Sequence, residues 1–182
     1  MLYRTLMFMS RVACHTPRPI LLALGWVLGN LYYLIIAKMR RRAVAHMMPA
    51  LAIDEAAAKK LVRASFINMA RNFLDILAMP MLNERNFRDY IEIDHLERMQ
   101  EALAEGHGVV VLTGHIGCWE WLSAAFTLNG MPVSAIAKPQ PNIQYTRVLD
   151  DLRATIHVEI FSRGTSELIA AARALKRGKL LG

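Results

Sequence analysis

Acidic residues are scarce in this chain. Fifteen Asp and Glu stand against 22 Lys and Arg, giving a formal net charge of +7. Such a surface attracts anionic partners: phospholipid headgroups, nucleic acid or an acidic protein. Nucleic acid is the weaker choice, because no nucleic-acid motif occurs and the basic residues cluster beside apolar segments. Charge of either sign is thin, at 20% of residues against 54% hydrophobic, with a mean hydropathy of +0.25. That balance is apolar for a soluble domain and points towards a membrane. Cysteine is nearly absent. Cys14 and Cys118 lie far apart and form no CxxC, which excludes a disulfide framework or a zinc site of that kind and fits a reducing compartment. His107 and His115 straddle an apolar run eight residues apart, a poor spacing for a metal. There is no repeat, low-complexity segment or interdomain linker, and 182 residues suit one domain.

What is present begins with a long apolar run. Residues 20–37 form eighteen positions with no charge and one amide, Asn30, just enough to cross a bilayer core. Trp26, Tyr32 and Tyr33 suit anchoring at an interface. A signal peptide is disfavoured, since no small-residue cleavage site follows and Lys38, Arg40, Arg41 and Arg42 come directly after. A buried core helix and a helix lying in the interface remain alternatives. The basic run belongs on the cytoplasmic side of a spanning helix. The chain accordingly divides into a membrane anchor with its basic run at 1–42 and an α/β domain at 43–182.

Beyond the anchor, Asp54 suits the N-cap of a helix over 55–79, stopped by Pro80. Val62, Phe66, Met69, Phe73 and Ile76 give that helix one apolar stripe. A strand over 90–93 leads to Asp94 and Glu97, a capping-box spacing, for a helix ending at Gly106. Strands over 109–113, 133–137 and 158–161 alternate with helices over 117–129, 142–154 and 165–176. Strand starts about 25 residues apart fit βαβ crossovers in a mostly parallel sheet flanked by helices.

The motif around which these elements are arranged is Gly106 to Trp121. Val109, Val110, Val111 and Leu112 are apolar on both faces, as in a covered parallel strand. His115 follows just past its carboxyl end, where open α/β sheets bind ligands. Glu120 comes five residues later. On one continuous helix the two side chains would point roughly 140° apart, so they converge only if His115 sits on a turn and Glu120 in the next helix. Gly114 and Gly117 permit that turn. A neutral imidazole can take the proton of an attacking hydroxyl, and a carboxylate on its other nitrogen fixes the tautomer and steadies the imidazolium. The plainer alternative is an ordinary polar pair. Lys138, before Pro139, opens on the same edge, or is a solvated lysine before a turn. Arg163 and Gly164 follow the next strand on that edge, and the helix beginning at Thr165 can help bind an anion. Arg153 ends a helix, where a cation meets the dipole. Cys118 as nucleophile is the weaker reading, since it has no second histidine partner.

His115-Ile116-Gly117-Cys118-Trp119-Glu120 resembles the His-x4-Asp/Glu signature of glycerolipid acyltransferases. More closely, it resembles the His-x-Gly-Asn-Trp-Glu form of the bacterial lipid A biosynthesis acyltransferases, the lauroyl and myristoyl transferases that act after Kdo addition. Nearly the whole chain follows the family order: the basic run before Pro49, the helix at 96–105, Lys138-Pro139, Arg153, Arg163-Gly164 and Leu175-Lys176-Arg177-Gly178. Cys118 stands where the family carries Asn. The family pattern also continues past Lys179 into a strand, an Asp-Gln pair and Phe-Phe-Gly, so a chain ending at Gly182 is expected to be a partial member. The resemblance implies a glycerolipid-acyltransferase-like fold and acyl transfer from acyl-carrier-protein to a hydroxyl of an anionic, phosphorylated saccharolipid. It places His115 as general base, Glu120 as its orienting partner and Arg153 as a phosphate clamp. Lys138, Arg163 and Gly117 join the substrate-binding set. It implies no metal or organic cofactor, and an inner-membrane location with the catalytic domain facing the cytoplasm. The alternatives are acylation of a lysophospholipid or other glycolipid, and an inactive membrane-anchored fragment.

Overall fold

A computed structural model describes residues 1–182, apart from the side chain of Thr165. The chain forms two compact units, Met1–Cys14 with Ile76–Gly182, and His15–Asp75. Residues 1–42 thus contribute to both.

The unit His15–Asp75 is helical. The apolar run forms α2, Arg18–Ile35, with Pro19 in its first turn, where a missing N–H costs nothing. The expected helix over 20–37 breaks at Ile36 (φ −88°, ψ 62°), so the basic run begins a separate helix, α3, Ala37–Leu51. Helix α4, Glu55–Ala78, starts as expected: the Asp54 carboxylate accepts from Ala57 N–H at 2.7 Å. Its apolar stripe is only half covered. Val62 and Phe66 are buried with Val44 and Ala58, whereas Met69 and Phe73 are exposed.

The other unit is α/β. Strands β1 (Val109–Val110), β2 (Val133–Ala137), β3 (Glu159–Ser162) and β4 (Leu180–Leu181) form one sheet in the order β1-β4-β2-β3. Every pairing is parallel. The expected βαβ succession is present, with α6 (Trp119–Leu128), α7 (Ile143–Ala154) and α8 (Thr165–Lys176) between strands. The strand that the resemblance places past Lys179 is present as the two-residue β4. It lies between β1 and β2, and Leu180 registers with both Val109 and Val133 at full burial. Helix α1 (Leu2–Cys14) joins this unit by capturing α7. Tyr3 donates its backbone N–H to Gln144 at 3.0 Å and its hydroxyl to Asp151 at 2.6 Å. That bond to a carboxylate raises the phenol above its ordinary range.

Three local expectations are corrected. The segment 90–93 is not a strand. Asn83 and Asn86 accept backbone N–H groups and set up turns, and Phe87–Asp89 coils into a single 3-10 turn around the buried Phe87. Asp94 forms no capping box. His95 takes a left-handed conformation (φ 55°) and α5 runs Leu96–Ala104 without a side-chain cap. The motif strand is shorter than 109–113 and is not covered on both faces. Val111 still donates to Leu181 at 2.8 Å, but Val110 is 67% and Leu112 98% exposed, so the face they share is uncovered, and β1 is also an edge strand.

Gly108, immediately before β1, has φ +72°, and a Cβ there would lie 2.2 Å from the Leu175 carbonyl oxygen. We expect Gly108→Ala to cost about 2 kcal/mol or more by adding a backbone clash to left-handed strain. Gly106→Ala, also at positive φ but in open space, is expected to cost only about 1–2 kcal/mol. Urea unfolding followed by tryptophan fluorescence compares them. A second test concerns Glu159, whose carboxylate accepts from Lys179 Nζ at 2.8 Å and Ser134 Oγ at 3.1 Å and binds β3 to the neighbouring chain. The Lys179 ammonium, with Ser134, holds this carboxyl below its ordinary range. Its contribution is therefore complete above the unfolded carboxylate's range and is lost as pH falls through the lower folded one. Glu159→Gln should cost less than about 1 kcal/mol near pH 7, since the pair is half-exposed, and the two proteins should converge in acid.

Candidate active site

A fully parallel sheet carries all its strand carboxyl ends to one edge. The loops after β1, β2 and β3 bear His115, Lys138 and Arg163 respectively. After β1 the chain turns through Gly114–Gly117. Ile116 N–H donates to Gly114 O at 2.9 Å, and Gly117 adopts φ +60°. Helix α6 then starts at Trp119, with Cys118 at its N-cap position and Glu120 in its first turn, where the helix dipole favours a carboxylate.

His115, Glu120, Lys138, Arg153 and Arg163 line a single cavity of about 420 Å³, within the size range of small-molecule sites. Much of its wall is apolar, including Val111, Phe126, Ile136, Val158 and Ile160. Gly117 shapes the turn but does not line the cavity. His115, Lys138 and Arg163 are exposed, and the His115 ring lies 4.7 Å from that of Trp119 at an angle of 54°.

Glu120 is only 5% exposed, and both its oxygens are engaged. Arg153 donates to them from Nε at 2.8 Å and from Nη2 at 2.6 Å. Nη1 lies 3.6 Å from the Asp150 carboxylate. No hydrogen bond joins Glu120 to His115 among the described residues, so the structure pairs Glu120 with Arg153. A guanidinium fork satisfies both carboxylate oxygens at once, whereas an imidazole offers one N–H to each partner. Burial alone would favour the uncharged guanidine, but the hydrogen bonds and charge of Glu120, with Asp150, prevail and raise the group above its ordinary range. The arrangement combines an accessible imidazole, a fixed buried ion pair and two exposed cations around an apolar-walled space. It can hold an amphiphile with an anionic part beside a group able to accept a proton.

Sequence reasoning did not single out Trp119, Ser123 or Gln140, which also line the cavity. Their signal was positional: Ser123 is three residues after Glu120 and four after Trp119, on one face of α6, and Gln140 follows Lys138-Pro139 on one loop. Cys118 is half-buried and in no disulfide.

The pair is buried enough for its two halves to be interdependent. Arg153→Ala leaves the Glu120 charge without its partner and should cost about 3–5 kcal/mol of stability. The double variant Glu120→Gln, Arg153→Met should cost clearly less than the sum of the two single changes. Urea unfolding of the four proteins of this cycle measures the difference.

The family model described as bacterial lipid A biosynthesis acyltransferase matches residues 3–182. Comparison with curated proteins gives no match. The family match runs through the sheet, the motif turn and every residue of the cavity just described: the chain belongs to the bacterial lipid A biosynthesis acyltransferase family, a family of acyltransferases.

Proposed function

We propose that this protein transfers a fatty acyl chain from acyl-carrier-protein to a hydroxyl of a phosphorylated lipid A precursor, at the cytoplasmic face of the inner membrane. The observation that supports this most is one cavity uniting His115, the Glu120–Arg153 pair, Lys138 and Arg163 with apolar walls. In this reading the acyl chain occupies the apolar part and the acceptor's phosphate meets the cations, for which a guanidinium is well shaped. The neutral His115 imidazole takes the proton of the acceptor hydroxyl as its oxygen attacks the thioester carbonyl. The tetrahedral centre collapses, the carbon–sulfur bond breaks and the imidazolium returns the proton to the departing thiolate. An ester forms with no acyl-enzyme. Arrival of the phosphate draws Arg153 towards it, leaving Glu120 to steady the imidazolium; catalytic hydrogen bonds often form fully only in the reactive complex. The net charge of +7 favours encounter with an acidic carrier protein and with anionic lipid. Helix α2 is apolar and long enough, at 18 residues, to cross a membrane.

The test is acyl transfer from acyl-carrier-protein by folded variants. His115→Ala should lower turnover about 10²–10⁴-fold. Glu120→Gln should lower turnover strongly without weakening acceptor binding, since the carboxylate that competes for Arg153 is gone. Arg153→Lys, which keeps a cation beside Glu120, should raise the Michaelis constant for the phosphorylated acceptor more than it lowers turnover. Near-normal turnover in His115→Ala would contradict the mechanism, and preference for a lysophospholipid acceptor would contradict the substrate.

A further inference from the structure

Helix α2 has the length and apolarity of a membrane-crossing helix, but one of its faces is already occupied. Gly25 and Gly29 lie one turn apart on the same face. A Cβ at Gly25 would stand 2.6 Å from Arg71 Cγ and 3.0 Å from Arg71 Cα; one at Gly29 would stand 2.4 Å from Ile67 Cα and 2.8 Å from Phe66 O. Helices α2 and α4 therefore cross in backbone contact, and only glycine fits at the two crossing points. The contact brings charge with it. Arg63 donates from Nε to Asn30 Oδ1 at 2.6 Å, Arg71 donates from Nε to the Leu22 carbonyl at 3.3 Å, and Arg18 at the start of α2 pairs with Asp75 at 2.6 Å.

Leu22 and Asn30 are eight residues apart, about 12 Å along the helix axis. If α2 stood upright in a hydrocarbon core about 30 Å thick, the guanidiniums of Arg63 and Arg71 would be carried into it. The opposite face of α2 has no such conflict. Ile20, Val27, Leu31 and Leu34 are each at least half-exposed, and they lie about 180° around the helix from the two glycines. At the end of this apolar face, α3 exposes Lys38, Arg41 and Arg42, and Arg40 donates to the Tyr33 carbonyl at 2.9 Å. A wholly apolar face beside a cationic cluster is the pattern of a helix lying in a membrane surface.

We propose that α2 lies within one leaflet of an anionic bilayer, parallel to its plane, rather than crossing it. The outward face of α2 enters the acyl chains. The glycine face, α4 and its arginines stay at headgroup level, where Lys38, Arg41 and Arg42 meet lipid phosphates. This deepens the proposed membrane setting of the enzyme, but its geometry does not depend on which acyl acceptor is used.

The experiment uses the full chain with Cys14→Ala and Cys118→Ala, carrying one spin label at a time at Ile20→Cys, Val27→Cys or Leu34→Cys. These positions face away from the α4 crossing, so the label leaves that packing intact. Vesicles of phosphatidylethanolamine and phosphatidylglycerol supply the bilayer, and label depth is read from relaxation by oxygen and by a water-soluble nickel chelate. The expected result is three similar, shallow depths, within about 10 Å of the headgroup boundary. Binding should also fall at least tenfold when phosphatidylcholine replaces phosphatidylglycerol. A label near the bilayer centre at residue 27, with 20 and 34 shallow, would overturn the proposal in favour of a spanning helix. Three water-exposed labels with no vesicle binding would overturn it in favour of a soluble face. Acyl transfer assayed in detergent with the unlabelled parent separates the two ideas: activity retained alongside either adverse depth result removes only the in-plane seating.

Discussion

The buried ion pair between Glu120 and Arg153 is the contact on which the site depends. It joins the first turn of α6, which leaves the histidine turn, to the last turn of α7, which leads into β3. Two charges removed from water are stable there only because the fork geometry satisfies both carboxylate oxygens. Before an acceptor arrives, the pair thus ties α6 to α7, and through α6 the loop bearing His115. Helix α1 reinforces the same element at both ends, since Tyr3 binds Gln144 in the first turn of α7 and Asp151 in its last. The position of the cavity's central cation is therefore set by contacts from two separate parts of the chain.

The sheet supplies the other constraint. Parallel pairing sends every strand's carboxyl end to one side, so His115, Lys138 and Arg163 reach the cavity without any being adjacent in sequence. The sheet ends at a short edge strand, β1, and the face carrying Val110 and, just beyond it, Leu112 is open to solvent. Within the sheet, Leu180 stands fully buried between Val109 and Val133 and links the motif strand to the rest.

Much of this could be read from the chain itself. The β-branched run before His115, the roughly 25-residue spacing of the later strands and the cations at strand ends follow from local sequence, and the parallel rule then gathers them at one edge. The N-cap at Asp54 was equally local. What escaped depended on distant contacts. Arg153 and Glu120 are 33 residues apart, and no local pattern tells whether that carboxylate takes a histidine or an arginine. The resemblance gave a strand past Lys179, but not its place between β1 and β2, which no local signal in β4 carries. The alternation of Ile91 and Ile93 after Tyr90 imitates a strand, but turn-forming Asn83 and Asn86 with the buried Phe87 prevail. Gly25 and Gly29 sit in an apolar run whose composition alone points to lipid on every side, and only the crossing with α4 gives them a protein partner.

In the proposed reaction the cavity places an acceptor hydroxyl at His115 while the acceptor's anionic group meets Arg153. A crystal structure with a non-transferable, phosphorylated acceptor analogue tests this most directly. The expected result is the hydroxyl oxygen about 2.6–3.2 Å from an imidazole nitrogen of His115, with the phosphate on Arg153 and the Glu120 carboxylate turned towards the histidine. An acceptor bound with its hydroxyl away from His115, or a phosphate held elsewhere while Arg153 keeps both its bonds to Glu120, would contradict it.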